Sequence, residues 1–256
     1  MTLSKNKIKY VNSFSLKKNR DTYGLFVAEG DKITADFLHF CRCECLIATG
    51  EWLSAHATLV ASAAVDDVVA ADSREEMGRV SQLTSPPSAL GVFRKPEYEP
   101  FGLAGARTSL ILALDSVQDP GNLGTIVRTA AWFGVADVLC SHGCADIYGP
   151  KAVQATMGAL ASVRVHYVDL PHTLRQCRLF GAEIYGTFLD GLDIYTERIA
   201  PRGVIVMGNE GGGISDAVAA HVTRRLLIPQ FGDGAAESLN VSVATAVVCS
   251  EFRRRG

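Results

Sequence analysis

The segment Val204-Ile205-Val206-Met207-Gly208-Asn209-Glu210-Gly211-Gly212-Gly213-Ile214-Ser215 decides how this chain is read. An apolar strand breaks into a polar, glycine-rich loop, the device by which α/β proteins expose backbone N–H groups at the ends of parallel strands. A second strand, Leu226-Leu227-Ile228, ends at Pro229-Gln230, and Glu237-Ser238-Leu239-Asn240-Val241-Ser242-Val243-Ala244 then opens a small-residue segment. A third polar cluster, Asp119-Pro120-Gly121-Asn122-Leu123-Gly124 with Arg128, lies upstream. The loop after Met207 is a poor pyrophosphate cradle, because the Glu210 carboxylate repels phosphate. It suits a neutral or cationic ligand such as a sulfonium, or serves simply as a strand-to-helix connection.

Working outward, the second half keeps a strand–helix rhythm. Ser109-Leu110-Ile111-Leu112-Ala113-Leu114 is a continuous apolar run ending at Asp115, as expected of a strand buried on both faces. Thr125 to Gly134 reads as a helix stopped by its glycine, Val138-Leu139-Cys140 as a strand, and Pro150 to Ala161 as a helix with proline in its first turn. Glu183 to Thr187 is a further strand. Five strands with helices between them predict a parallel sheet and right-handed crossovers. Residues 239–243 alternate like a strand and 244–248 suit a buried helix; Glu237 and Ser238, which offer cap chemistry, favour helix.

The first half reads as a smaller α/β unit. It has a basic helical start, a strand at Leu25 to Gly30, a helix from Asp31 to His39 and a strand at Leu90 to Phe93. Between these, Cys41-Arg42-Cys43-Glu44-Cys45 alternates like a strand carrying its thiols on one face, since one-residue spacing does not suit a zinc knuckle. The Pro-, Gly- and charge-rich stretch from Arg94 to Gly102 is the best linker. The division is residues 1–96, a linker at 97–106, and 107–256.

Composition narrows the class. The chain has 256 residues, 48% of them apolar and 20% charged, which describes a globular protein. No apolar run reaches the length of about eighteen residues needed to span a bilayer, and no secretory h-region follows the start. Seven cysteines without a framework indicate reduced thiols and a cytoplasmic setting. Net charge is only −2, yet residues 1–24 carry six cations against Asp21 alone. Such a basic end on a neutral body fits a polyanion, or equally a solvated helix face. The Walker loop and the dinucleotide Gly-x-Gly-x-x-Gly are absent.

The three polar clusters resemble the signature motifs of the SpoU (TrmH) family of RNA 2′-O-methyltransferases in the SPOUT superfamily. Asn122, Gly124 and Arg128 match the first motif. Met207 to Gly211 with Ile214-Ser215 match the second, and Ile228-Pro229 with Glu237 to Ala244 match the third. The N-terminal half is similar to the family's L30e-like substrate-binding domain, through Lys17-Lys18-Asn19-Arg20 and Gly24 to Gly30. Ala28 and the extra glycines at 212–213 depart from the usual pattern without touching its polar positions.

The resemblance implies a parallel-sheet α/β domain with a C-terminal trefoil knot, a homodimer, and S-adenosylmethionine as cofactor, with no metal. It implies ribosomal RNA as substrate in preference to transfer RNA; a non-catalytic RNA-binding factor of the same fold is the alternative. The implied cofactor contacts are Thr187, Met207, Gly208, Asn209, Gly211, Ile228, Ser238 and Leu239. Arg128 takes the central catalytic role, with Asn122, Glu210, Ser238 and Asn240 around it. Lys17, Lys18, Arg20 and Arg128 are the implied RNA contacts. A free guanidinium keeps its proton to about pH 12, so Arg128 is better suited to holding phosphate and stabilising a developing alkoxide than to acting as a base. Simpler roles stay open: Asn122 as a helix cap, Glu210 as a local partner, and Ser238 and Asn240 as helix-start residues. Trp132-Phe133 reads as core, and His142 and His166 as structural.

Overall fold

The computed structural model describes residues 3–232 and 238–255. The chain forms two compact units, one of residues up to Glu97 together with Asp146–Ala161, the other of Tyr98–Ala145 together with Ser162 onward.

The first unit is built on a four-stranded sheet of β1 (Leu25–Glu29), β2 (Cys43–Thr49), β3 (Val68–Ala71) and β4 (Ala89–Arg94), in the order β1-β4-β2-β3. β4 runs antiparallel to β1 and β2, and β2 parallel to β3. Side chains alternate between two cores, as the strand period requires. Phe26, Phe37 and Phe93 stack with ring centroids 5.2–5.9 Å apart on one side. Leu25, Val27, Ile47, Leu90 and Val92 join Phe14 and Met77 on the other.

The cysteine alternation misleads here. Cys43 pairs with Phe93 but Cys45 pairs with Val92, because a bulge intervenes. One extra residue in a strand reverses the side-chain parity, so the two buried thiols lie on opposite faces.

Asp146–Ala161 belongs to this first unit by its packing. Tyr148 places its ring 5.1 Å from that of Phe26, and Asp146 pairs with Arg20. The helix there is Pro150–Thr156, shorter than the sequence suggests. Met157 and Gly158 both take positive φ and end it.

The second unit holds a six-stranded parallel sheet: β5 (Leu110–Leu114), β6 (Asp137–Ser141), β7 (Arg164–Val168), β8 (Ile184–Asp193), β9 (Gly203–Met207) and β10 (Arg224–Leu227). Their spatial order is β10-β8-β9-β5-β6-β7. β7 is the strand the sequence hid. Its residues, Arg-Val-His-Tyr-Val, interleave polar groups because it is an edge strand, with Arg164 (2.6 and 2.7 Å) and His166 (3.0 Å) bound to Asp137 on β6. His166 is thus structural, as expected.

The chain moves outward from β5 to β7 and then returns to the far side of β5. The order therefore reverses between β5 and β9, and the crevice at such a switch point is where open α/β sheets bind ligands.

Two helices frame that crevice. The first spans Pro120–Trp132, beginning five residues before the predicted start. The Asp119 side chain accepts from the Asn122 N–H at 2.8 Å and Pro120 fits the first turn, so Asp119 is the cap and Asn122 is not. Gly134 ends it with φ 64°, as the sequence predicts. Leu123, Ile126, Val127 and Ala130 are its buried face. Trp132 is not core: it is 85% exposed, nine residues beyond Leu123 and so on the opposite side of the helix.

The second helix is Val241–Arg254, capped by Asn240, whose Oδ1 accepts from the N–H groups of Ser242 and Val243. Ser238 lies outside the helix, and Glu237, the other expected cap, lies outside the described residues. The C-terminal helix packs on the first, with Arg253 donating to the carbonyls of Phe133 and Gly134 at 2.7 and 3.0 Å.

Candidate active site

The carboxyl ends of β5 and β9 carry the polar segments. β9 ends at Met207, whose carbonyl accepts from Asp115 N–H at 2.9 Å, so the two strand ends are held together. The loop that follows is closed on itself. Asn209 and Gly213 exchange two backbone hydrogen bonds, at 2.8 and 3.0 Å. The Asn209 Oδ1 accepts from Gly211 N–H and Gly212 N–H, both at 2.9 Å. Its Nδ2 donates to the Ser116 carbonyl at 2.7 Å. Asn209 therefore spends its backbone and side-chain polar groups inside the protein, shaping the loop. Gly208 must be glycine: a Cβ there would sit 2.2 Å from the Gly213 carbonyl carbon.

This loop aims Glu210 at the start of the helix Pro120–Trp132. The Glu210 carboxylate accepts from Asn122 Nδ2 at 3.0 Å and, more distantly, from the N–H groups of Gln118 and Asp119 at 3.4 Å. Partial burial works against ionisation, but these donors outweigh it and hold the carboxyl below its ordinary range. Asn122 in turn accepts at Oδ1 from Asn240 Nδ2 at 3.0 Å. Asn240 is fixed because its own oxygen is taken by Ser242 N–H and Oγ, at 2.9 and 2.6 Å. The result is one directed line, Asn240 to Asn122 to Glu210, across 118 and 88 positions of sequence. Each of the three motifs contributes one member. The bland roles considered for these residues are partly true, since Asn240 is also a cap.

The other expected residues fall around this line. Arg128 is exposed on the same helix, on the solvent face it shares with Thr125 and Trp132, and its side chain makes no hydrogen bond or ion pair among the described residues. Ser238 and Leu239 are exposed at the entrance to the C-terminal helix. Thr187 and Met207 meet side by side, Oγ1 to Sδ 3.9 Å, on adjacent strands, and Ile228 follows the end of β10 on the other side of β8. These strand ends offer backbone groups, a thioether and apolar side chains next to an ionised carboxylate, a donor set that fits an adenosyl sulfonium.

Of the predicted RNA contacts, Lys17 and Lys18 are exposed. Arg20 is not available to RNA. It is 4% exposed and donates to the carbonyls of Phe14 and Ser15, both at 2.7 Å, and to Asp146 Oδ2 at 2.8 and 3.2 Å. A guanidinium so placed is a structural cation.

Sequence reasoning passed over Asp115 and Ser116. Asp115 is buried and binds Ser215, 100 residues away, through both the N–H and the hydroxyl. Ser116 takes φ 58°, unusual outside glycine, and its N–H donates to Ser141 Oγ at 2.9 Å. The one available signal was a carboxylate at the carboxyl end of a buried strand.

A switch point of a parallel sheet with a carboxylate held by paired amides at its strand ends is a ligand-binding position of α/β enzymes. Comparison with known proteins places the chain further. Residues 109–250 match the SpoU rRNA Methylase family and residues 5–91 the MRM3-like substrate binding domain. A protein from Porphyromonas gingivalis assigned to the TrmH family of RNA methyltransferases superposes over 100% of both chains with TM-score 0.89 and 41% identity. An AdoMet-bound rRNA methyltransferase from Sinorhizobium meliloti covers 100% of this chain and 97% of its own, with TM-score 0.84 and 27% identity. The 23S rRNA (guanosine(2553)-2′-O)-methyltransferase RlmP of Bacillus subtilis is 33% identical over 182 residues, 71% of each chain. The chain belongs to the SpoU rRNA methylase family.

Proposed function

We propose that this protein transfers a methyl group from S-adenosylmethionine to a ribose 2′-hydroxyl of ribosomal RNA. The observation that carries this reading is the hydrogen-bonded line joining Asn240, Asn122 and Glu210, which gathers all three motifs at the switch point. The names of the relatives supply the substrate class: an rRNA methyltransferase and a guanosine 2′-O-methyltransferase.

When bound, S-adenosylmethionine would supply a sulfonium methyl: the ribose 2′-oxygen would bond to the methyl carbon as the carbon–sulfur bond breaks, leaving S-adenosylhomocysteine and releasing the hydroxyl proton. We infer that Thr187, Met207, Gly208, Gly211, Ile228, Ser238 and Leu239 would hold it. Glu210, kept ionised, gives the crevice the negative charge that a sulfonium prefers. Arg128 binds a target phosphate and stabilises the 2′-oxygen as it loses its proton, a role for which the fork of a guanidinium is suited. Asn122 and Asn240 keep the helix start and the C-terminal segment in register with Glu210. Lys17 and Lys18 add sequence-independent attraction for the RNA backbone.

We also infer a homodimer and a C-terminal trefoil knot. Trp132 and Val243 are exposed apolar side chains on the two helices that frame the crevice, and such surface is usually covered by a partner. The packing of helix Val241–Arg254 on helix Pro120–Trp132 is compatible with the threaded C-terminus implied by the family. No described helix is long and apolar enough to cross a membrane, and a cytoplasmic site beside the ribosome fits the proposed substrate.

The test is transfer of labelled methyl from S-adenosylmethionine to unmodified ribosomal and transfer RNA, followed by alkaline hydrolysis. Alkaline cleavage needs a free 2′-hydroxyl, so ribose methylation leaves label in resistant dinucleotides of ribosomal RNA. Label in mononucleotides would mean base methylation and refute the reaction. Label in transfer RNA alone would refute the substrate.

A further inference from the structure

Asp115 stands outside the motif residues, yet it is the buried group that closes the loop after β9. It is 5% exposed, and its Oδ2 accepts both from Ser215 N–H at 2.8 Å and from Ser215 Oγ at 2.6 Å. Its Oδ1 takes the Ser116 hydroxyl at 3.3 Å. Among the described residues no lysine, arginine or histidine pairs with it. A buried carboxylate satisfied by neutral donors alone is an expensive choice where only shape is needed. What it provides is a short, charge-assisted contact, stiffer than a neutral one.

Stiffness matters because of what lies between the anchors. The loop is pinned at its entry by Asp115 N–H on the Met207 carbonyl and by Asn209 Nδ2 on the Ser116 carbonyl. It is pinned at its exit by Ser215 on Asp115. Glu210 sits between these anchors, followed by three consecutive glycines, the residue type with the most backbone freedom. Two of its three donors from outside the loop stand at 3.4 Å, too far to fix it firmly. The position of Glu210 is therefore set jointly by its bond from Asn122 at 3.0 Å, by the Asn209 bonds inside the loop and by the anchors at the loop's two ends.

We propose that Asp115 is a positioning residue for the reaction, acting on Glu210 through Ser215 and the loop Gly208–Ser215. The inference rests on the methyl-transfer reading for its catalytic consequence, and on geometry alone for the ordering of the loop.

Ser215→Ala removes the hydroxyl and keeps the N–H, and Asp115→Asn keeps the shape and removes the charge. Both are compared with wild type and with Ser215→Thr in steady-state kinetics and thermal unfolding, and hydrogen–deuterium exchange is followed across residues 208–215. Ser215→Ala and Asp115→Asn each lower kcat by on the order of tenfold, the worth of a hydrogen bond to a charged group. KM for RNA stays within about twofold, and Ser215→Thr restores kcat. The double variant is no slower than Asp115→Asn alone, because both act through one contact. Exchange speeds up across Asn209–Gly213 in both variants while β9 stays protected.

Losses in kcat that multiply in the double variant, or that track the unfolding midpoint without rescue by Ser215→Thr, would overturn the proposal. So would unchanged exchange in the loop. Wild-type protein that binds S-adenosylmethionine but methylates no RNA would instead sink the functional reading. The exchange data would still decide whether Asp115 orders the loop.

Discussion

Replacing Gly208 with alanine tests whether the closed loop after β9 is what binds the cofactor. The new Cβ would lie 2.2 Å from the Gly213 carbonyl carbon, 2.4 Å from Ile214 N and 2.5 Å from the Gly213 oxygen. Ordinary contacts of that kind are about 3.5–4.0 Å, so the two sides of the loop must part by more than about 1 Å. All three atoms are backbone, and no rotamer change relieves the clash. Overpacking of this sort costs about 1–3 kcal/mol. Parting the loop also breaks the paired Asn209–Gly213 hydrogen bonds at 2.8 and 3.0 Å, each worth about 1 kcal/mol net. The total of about 3–5 kcal/mol corresponds to binding weaker by roughly a hundredfold to a few thousandfold.

Calorimetric titration with S-adenosylmethionine reads this directly, with Gly212→Ala as the control. A Cβ at Gly212 meets nothing nearer than Asn209 Oδ1 at 3.6 Å, so binding should change by no more than about twofold. Comparable affinity for Gly208→Ala and wild type, or equal losses in the two variants, would refute the reasoning.

Asn122→Asp should impair methyl transfer more than Asn122→Ala, because it sets a carboxylate where an amide now donates to Glu210 at 3.0 Å, and its activity should partly recover as pH falls. Glu210 titrates below its ordinary value of 4.5, so the loop stability drawn from its charge is fully present above that pH and is lost as pH falls through the lowered folded value. Hydrogen exchange of the loop against pH should show that loss, and Glu210→Gln should abolish the pH dependence. Arg20→Ala should destabilise the first unit by about 3 kcal/mol in urea, since the buried guanidinium's bonds to the Phe14 and Ser15 carbonyls and to the half-buried Asp146 carboxylate are all lost. Lys18→Ala should leave stability within about 0.5 kcal/mol and weaken RNA binding, most clearly at low salt. Arg128→Lys should lower kcat/KM for RNA by about tenfold to a hundredfold, with cofactor affinity and unfolding midpoint unchanged; near-full activity would rule out bidentate phosphate recognition.

The central strands were legible because burial on both faces demands uninterrupted apolar runs, as at Leu110–Leu114 and Val204–Met207. Edges and irregularities were not. β7 hid because Arg164 and His166 interrupt its apolar run to bind Asp137. The two cysteines of β2 were assigned to one face because a bulge leaves no mark in the residue pattern. Trp132 was read as core from its neighbours Ala and Val, although helix phase turns it outward. The helix start was visible in Asp119-Pro120, yet the pattern places those residues in a polar cluster ahead of a helix from Thr125.

At the site, residue types and spacing carried the motif members. They could not carry the bonds between them. Asp115 to Ser215 and Asn122 to Asn240 join positions 100 and 118 residues apart, and only the folded sheet brings them within reach. Arg20 shows the converse, a cation in a basic run whose charge is spent internally on Asp146.

The most direct test of the central claim is nucleoside mass spectrometry of ribosomal RNA from cells lacking this protein, with the purified protein and S-adenosylmethionine then added back. The account predicts one 2′-O-methylated nucleoside missing from that RNA, restored by the intact protein and not by the Gly208→Ala variant. A ribosomal RNA with its full set of ribose methyl groups, or a lost mark that lies on a base, would contradict it.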